Sequence, residues 1–216
     1  MDIRQTIAHL AQDKDEQMLL IRAAERLTAA QQRNIPAATA FLAAREQMLL
    51  AQLFPHDPPV FFGGCDGAER RVAVFLPDYL DEDWLLSDDS PVAAVRATFF
   101  EEDTLTHRDF LGALMGAGIK RETVGDIYVA PGRCDFVVLR ELRDFFLQNL
   151  PSAGRTKLTL APLDLAELSA PAAAVKTRHD TVSSLRFDSV LASAFSLARG
   201  KAAAIIESGR AELDHT

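Results

Sequence analysis

The chain has 216 residues, of which 48% are hydrophobic and 25% charged, and its formal net charge is −8 at pH 7. This composition is that of an ordinary globular protein with one or two domains. No run of about 18 apolar residues is present, which excludes a membrane-spanning helix, and the first residues lack the apolar core of a signal peptide. A chain this acidic is not expected to bind nucleic acid over its whole surface.

Residues 1–60 predict a helical N-terminal region. Asp13 or Asp15 is placed to cap a first long helix. Asn34 and Pro36 are typical of the start of another helix, because proline is favoured at the first helical position. The inward face of this second helix carries Phe41, Leu42, Met48, Leu49 and Leu53.

Residues 61–168 predict a domain of mixed strands and helices. From Arg71 the hydrophobic period changes to two, and from Val92 the predicted order is β-α-β-β-α-β. This is the order of the ferredoxin-like sandwich that RNA-recognition modules also use, so the predicted fold class is α+β. Tyr128 is the single candidate for a base-stacking aromatic residue on the central strands.

The stretch from Ala161 to Asp180 predicts an extended connection without packed elements. Its prolines, Pro162 and Pro171, and its run of three alanines argue against a regular element. The linker proper is assigned to residues 169–181.

Residues 182–216 predict two short helices followed by a strand. Phe187, Val190 and Leu191 follow the spacing of one apolar helix face, for which Ser183 or Ser184 is a plausible N-cap. A second helix runs from Ala198 to Ser208, and Gly209 stands where a C-terminal glycine ends a helix. The alternation that begins at Arg210 indicates a half-buried strand.

Basic residues stand at the start of the second of these helices. Arg199 and Lys201 flank Gly200 in its first turn, which is the unfavourable end of the helix dipole for cations. A phosphate bound there would satisfy the free helix-start amides and both side chains. From Lys176 to Thr216 there are six basic and five acidic residues, so this end carries +1 on an acidic chain. The residues of this end therefore predict a local phosphate-binding face.

This C-terminal pattern resembles the αL RNA-binding domain, which is named after a small-subunit ribosomal protein. The family's Arg-Leu-Asp, its Ser-Arg at the second helix start and its Gly before a strand correspond to Arg186-Phe187-Asp188, Ala198-Arg199 and Gly209-Arg210. Ala198 departs from the family's serine and Asp214 from its asparagine. Because the family has one more hairpin after this point, residues 182–216 are expected to be an incomplete αL domain. The resemblance implies that Arg186, Arg199, Lys201 and Arg210 contact RNA phosphates.

A second basic cluster is predicted at the two ends of a helix over residues 107–117. Gly112, Ala113 and Gly116 form a small-residue face, which we expect to lie close against the sheet. Arg108 lies at the helix start, and Lys120-Arg121 follow its end. These three basic residues are candidates for an auxiliary RNA contact, and the alternative for Lys120-Arg121 is an ordinary solvated turn.

The two cysteines, Cys65 and Cys134, stand alone and lack the spacing of metal ligands. We interpret them as small buried residues of a protein in the reducing cytoplasm. The glycine turn at Gly63 is not followed by the Lys-Ser/Thr pair of a phosphate-binding loop. We therefore expect no metal, no cofactor, no small-molecule substrate and no catalytic residue.

Taken along its whole length, the chain resembles the bacterial YlmH-like RNA-binding proteins. The similar segments are Phe41-Leu42, Arg45-Glu46-Gln47, Gly63-Gly64, Ala68-Glu69-Arg70-Arg71, the block from His107 to Ile127, and Thr181 to Arg186. The resemblance implies a helical N-terminal part, an RNA-recognition-like middle and a C-terminal αL domain.

For function, the resemblance implies binding to ribosomal RNA and tRNA on the large ribosomal subunit, in quality control of stalled translation. Two alternatives stay open. One is an RNA-modifying enzyme, because αL domains often accompany pseudouridine synthases. The other is a protein-interaction scaffold linked to cell division.

Overall fold

The computed structural model describes residues 3–171, 177 and 179–211. The chain divides into two compact units, a first unit that ends at Pro171 and a second unit that begins at Ala172. The division falls inside the predicted linker.

The first unit begins with two helices, α1 (Ile3–Leu10) and α2 (Lys14–Arg33). Asp13 is the N-cap of α2, since its carboxylate accepts hydrogen bonds from the amides of Asp15 at 2.9 Å and Glu16 at 2.8 Å. Asn34 has a φ of 53° and ends α2 in the left-handed conformation that asparagine tolerates. Asn34 therefore closes a helix, and the prediction that it opens one was wrong.

The next element is a strand, β1 (Ala37–Leu42), followed by α3 (Ala44–Leu53). The predicted helix from Pro36 was therefore wrong over β1 and correct over α3. Phe41 and Leu42 are both buried but belong to clusters on opposite sides of the strand. A strand that is buried on both faces has no alternating pattern, so its apolar run resembles a helix in sequence.

Strand β1 belongs to a three-stranded antiparallel sheet with β2 (Val60–Phe62) and β3 (Arg71–Phe75), in the order β1-β3-β2. The central strand β3 carries the predicted period-two run. Because β1 pairs with β3, the predicted boundary between residues 60 and 61 passes through this sheet. The helical N-terminal region and the middle region thus share one sheet within the first unit.

The remainder of the first unit contains a second, four-stranded sheet. In chain order, this part of the first unit contains β4 (Val92–Thr98), α4 (His107–Gly116), β5 (Val124–Ala130), β6 (Arg133–Leu139), α5 (Arg143–Asn149), the short pair β7 (Ser152–Ala153) and β8 (Thr156–Lys157), and β9 (Thr159–Leu163). The strand order is β5-β6-β4-β9, with every neighbouring pair antiparallel. Mixed helix and antiparallel sheet confirm the predicted α+β class.

One face of the four-stranded sheet packs on α4 and α5. The ring of Phe136 meets that of Phe146 edge to face, with centroids 6.0 Å apart. From α4, Phe110 and Leu114 are completely buried in the same cluster. These large side chains carry the contact between α4 and its sheet.

Gly112 and Gly116 of the small-residue face point away from the sheet, so the prediction of a close approach was wrong for them, whereas Ala113 packs against the buried cluster. Gly112 and Gly116 are exposed, and a Cβ atom built on either would meet no atom within 4 Å. Small residues are compatible both with tight packing and with solvent. Because Phe110 and Leu114 occupy the inward positions, the glycines take the outward ones.

The opposite face of the four-stranded sheet is covered over part of its area by the three-stranded sheet. Val92 and Val137 join Phe41 and Val74 in one buried cluster. Leu163, Leu165 and Leu168 close the same cluster, so residues 161–168 are packed and not the predicted extended connection. Pro162 fits because β9 is an edge strand, where a missing amide is tolerated.

The second unit contains α6 (Phe187–Ala194) and α7 (Arg199–Glu207), as predicted. The N-cap of α6 is Arg186, so the predicted serine caps were wrong. Gly209 ends α7 as predicted, with a φ of 66° and its amide 2.9 Å from the carbonyl oxygen of Ile206. Of the predicted strand, Arg210 lies in a bend, and residues 212–216 lie outside the described part of the chain.

Within the described part of the chain, no single helix is long and apolar enough to cross a membrane. Among the described helices, α6 and α7 taken together pass such a test by length and composition, and the chain bends by 115° between them.

Candidate nucleic-acid interface

The starts of α6 and α7 are joined through one carboxylate, that of Asp188. The Nε atom of Arg186 donates to Oδ1 of Asp188 at 3.1 Å, and the Nε atom of Arg199 donates to Oδ2 at 2.8 Å. Arg186 is the N-cap of α6, and Arg199 is the first residue of α7. The fold therefore brings together two of the predicted RNA-binding residues.

The carboxylate is covered, and the two cations are open to solvent. The side chain of Asp188 is 14% exposed, whereas those of Arg186 and Arg199 are 71% and 56% exposed. Hydrogen bonds from Arg199 and then Arg186 lower the pKa of Asp188 to about 2. Both arginines use Nε for Asp188, which leaves the terminal nitrogens of each guanidinium for another acceptor.

The sequence argument did not single out Asp188 as a partner of these arginines. An acidic residue in a first helical turn is explained by the helix dipole alone. The signal that could have identified it is its place two residues after Arg186, combined with an arginine at the start of the next helix. Only the packing of α6 against α7 makes Asp188 common to both.

We expect the carboxylate of Asp188 to titrate with a midpoint near 2, below the value of about 3.9 for a free aspartate. Because the pKa in the folded chain is depressed, the contact stabilises the fold above about pH 4 and is lost as the pH falls through about 2. A carboxyl-carbon NMR titration measures this midpoint. In the Arg186→Ala plus Arg199→Ala variant it should return toward 3.9, and an unshifted wild-type midpoint would contradict the contact.

Gly200 and Lys201 lie beside Arg199 in the first turn of α7, and both are exposed. A Cβ atom at Gly200 would meet no atom within 4 Å. The amide of Lys201 donates to the carbonyl oxygen of Ala198 at 2.9 Å. The amides of Arg199 and Gly200 precede the first intrahelical bond and can serve an anion.

Arg210 is not part of this cluster. It follows the C-terminal end of α7, and its Nε atom donates to Oγ of Ser208 at 3.0 Å. At roughly 1.5 Å per residue, α7 separates it from Arg199 by more than about 13 Å. Arg210 is exposed, and a phosphate contact from it would be a separate one.

Arg108 and Lys120 of the first unit are exposed at opposite ends of α4. Arg108 lies in the first turn. Lys120 lies beyond the last turn, with its Nζ atom 4.0 Å from a carboxylate oxygen of Glu122. The prediction that the turn after α4 exposes a cation holds for Lys120, but the helix keeps the two cations apart.

Arg121 is half-buried, so the prediction that it is exposed beside Lys120 was wrong. Its Nη1 atom donates to the carbonyl oxygens of Val124 and Gly125. Burial, and then the positive charge of Arg70, lower the pKa of Arg121. One nitrogen of its guanidinium is engaged by backbone carbonyls, which gives Arg121 a structural role.

Arg121 belongs to a network that fastens the two sheets of the first unit. Asp126 accepts hydrogen bonds from the amides of Glu69 at 2.6 Å and Arg70 at 3.2 Å. The side chain of Arg70 donates to the carbonyl oxygens of Val124 at 3.2 Å and Phe41 at 3.0 Å. Several residues that carry the family resemblance therefore make internal hydrogen bonds that hold the two sheets together.

Tyr128, the predicted stacking residue, is also engaged inside the first unit. Its hydroxyl donates to Asp126 at 3.2 Å and lies 3.6 Å from the sulfur of Cys65, and burial raises its pKa. The uncovered end of this sheet face is polar. Arg96 is paired there with Asp135 through two hydrogen bonds of 2.7 Å, and the exposed side chains are Thr98, Arg133 and Thr159.

The chain is similar to known proteins along most of its length. A family model described as "Putative RNA-binding domain in YlmH" matches residues 98–167. "Ribosome-associated protein quality control protein P2" of Bacillus subtilis (strain 168) is 34% identical over 199 residues, which is 91% of this chain and 76% of that protein. A solved structure, "Cell division protein ylmH from Streptococcus pneumoniae", is 20% identical with a TM-score of 0.57, and the match covers 73% of this chain and 96% of that chain.

These similarities support different conclusions about the chain. At 20% identity, the streptococcal structure shows a shared fold and nothing further. The Bacillus relative is matched over most of both chains, and the matched family model covers α4, the strands β5, β6 and β9 of the second sheet, Arg108 and Lys120. The resemblance deduced from the sequence is thereby confirmed, and the chain belongs to the YlmH-like family of RNA-binding proteins.

Proposed function

We propose that this chain is a non-enzymatic RNA-binding protein of bacterial ribosome-associated quality control, which contacts ribosomal RNA and tRNA on the large ribosomal subunit. The observation that carries the proposal is the pair of exposed guanidiniums held on Asp188 at the joined starts of α6 and α7. The printed name of the Bacillus relative supports the cellular process.

The chemistry of the second unit suits a phosphate backbone. The planar guanidinium group of arginine binds two phosphate oxygens at once, and the helix-start amides of α7 are further donors beside Arg199. The whole chain is acidic, with a net charge of −8, so bulk attraction to RNA is weak. Recognition of a structured RNA through a few placed contacts is therefore favoured over nonspecific coating.

In this proposal the second unit acts as the αL domain, assigned to residues 182–216, and Arg186, Arg199, Gly200 and Lys201 form its main contact. Arg210 supplies a separate contact. The strand order β5-β6-β4-β9 supports a ferredoxin-like, RNA-recognition-like domain in the first unit. Because Tyr128 and part of that sheet face are covered, Arg108 and Lys120 are the auxiliary contacts proposed for this unit.

Purified large ribosomal subunits and tRNA test this function. We expect the wild-type chain to bind both, and Arg199→Ala plus Lys201→Ala to weaken binding. The slope of log affinity against log salt should also become shallower by about 1.4–1.8, the amount expected for two lost phosphate contacts. Cosedimentation and filter binding over a salt series measure both quantities.

A matched control removes two positive charges elsewhere. Lys14→Ala plus Arg33→Ala changes the net charge equally, at exposed positions at the two ends of α2. This variant should keep the wild-type affinity and slope. Failure of the wild-type chain to bind, or equal effects of the two double variants, would remove the second unit as the RNA site.

A further inference from the structure

Arg186 and Arg199 stand at the starts of different helices, and within the described part of the chain their guanidiniums share one partner, Asp188. Each is more than half exposed, and among the described residues the hydrogen bonds of both guanidiniums go to this carboxylate. Two adjacent cations repel each other. Without the carboxylate between them, the two side chains are expected to separate and to move freely in water.

This arrangement affects binding because long arginine side chains lose conformational entropy when they are fixed on a ligand. A pair that is already fixed in the free protein loses less on binding, so its affinity is higher. Asp188 binds both arginines through Nε, the atom nearest the side-chain stem. The guanidinium groups of both arginines therefore keep their terminal nitrogens available to donate to one shared acceptor.

Resting on the function proposed above, we infer that Asp188 is a positioning residue of the RNA site. Its carboxylate holds the guanidiniums of Arg186 and Arg199 side by side, so that both present their outer nitrogens to one phosphate of the RNA backbone. Asp188 itself does not touch the RNA in this arrangement, because a carboxylate beside a phosphate would be repelled.

The direction of the change in RNA affinity distinguishes this inference from an effect of net charge alone. Removing the negative charge of Asp188 makes the second unit more positive, and charge alone then predicts tighter binding to RNA. Loss of positioning predicts weaker binding. The direction of the change in affinity therefore decides between these two effects.

We expect Asp188→Asn to weaken binding to purified large ribosomal subunits by about tenfold, the effect of freeing two side chains. An asparagine amide keeps one oxygen acceptor and faces the second arginine with a donor, so it cannot hold both. Glu207→Gln is the charge control, since Glu207 is exposed at the end of α7. It should leave affinity unchanged or raise it slightly.

A double-mutant cycle distinguishes positioning from a purely structural role. In the Arg186→Ala plus Arg199→Ala background, Asp188→Asn should cause no further loss of affinity, because there is no pair left to position. A further loss in that background would show that Asp188 only maintains the helices, and would overturn the inference. Circular dichroism of each variant gives its helix content.

The outcomes also separate this inference from the proposed function. If the wild-type chain does not bind subunits, the proposed function fails and the inference fails with it. If the wild-type chain binds and the arginine variant is weakened, but Asp188→Asn binds as well as or better than Glu207→Gln, then the inference alone is wrong.

Discussion

Replacing Gly125 by alanine should destabilise the first unit by about 1–3 kcal/mol, the usual range for overpacking a core. A Cβ atom at this position would lie 2.7 Å from Cε1 of Phe41 and 3.0 Å from its Cζ. Phe41 is 2% exposed and packed in the cluster between the two sheets, so moving its ring would disturb buried contacts. Urea unfolding of the full chain measures the change in unfolding free energy.

Gly112→Ala is the matched control, and its effect should have the opposite sign. Gly112 lies inside α4 with open space around its missing Cβ atom. An alanine there should stabilise the chain by about 0.5–1 kcal/mol, since glycine is the poorer helix former. If both variants destabilise equally, the contact between Gly125 and Phe41 does not explain the effect.

Asp126→Ala should destabilise the first unit by about 2–4 kcal/mol, because hydrogen bonds to a charged group contribute more than neutral ones. Its carboxylate accepts from the amides of Glu69 and Arg70 and from the hydroxyl of Tyr128. All three donors would lose this partner at once. Asp126 lies where the register of β5 is irregular, between Val124 and Ile127, and irregularities of this kind can redirect a side chain toward a neighbouring segment.

The control for Asp126 is Asp66→Ala in the same loop, at an exposed position. This substitution should change the free energy of unfolding by less than about 0.5 kcal/mol, as exposed surface changes usually do. Binding to large ribosomal subunits should survive in the folded fraction of Asp126→Ala. Loss of binding by a folded Asp126→Ala chain would mean that this network also shapes an RNA contact.

These two predictions bear on how the family resemblance is interpreted. Arg70, Arg121, Gly125 and Asp126 carry part of the resemblance, and each is engaged inside the first unit. A motif shared within a family can therefore consist of residues that pack two sheets together, and not only of residues that form a binding surface. Arg186 and Arg199, by contrast, present exposed cations, and the proposed function depends on them.

Several local features of this protein could be predicted from short-range patterns along the chain. The cap at Asp13, the end of α7 at Gly209, the helix α4 and the strands β3 to β6 each follow from short-range signals. Capping, left-handed glycine and hydrophobic period act within a few residues, so the local sequence contains their cause. The family resemblance likewise depended on residues that could be read in order.

The partners of these residues, by contrast, depend on long-range packing. The buried run of β1 has no period of its own, and its pairing with β3 makes it a strand. Arg121 was predicted to be exposed like Lys120, and it is half-buried because the carbonyls of Val124 and Gly125 lie beside it. Asp188 joins Arg186 to Arg199 because α6 packs on α7. Partners distant in sequence are chosen by packing, which local patterns do not contain.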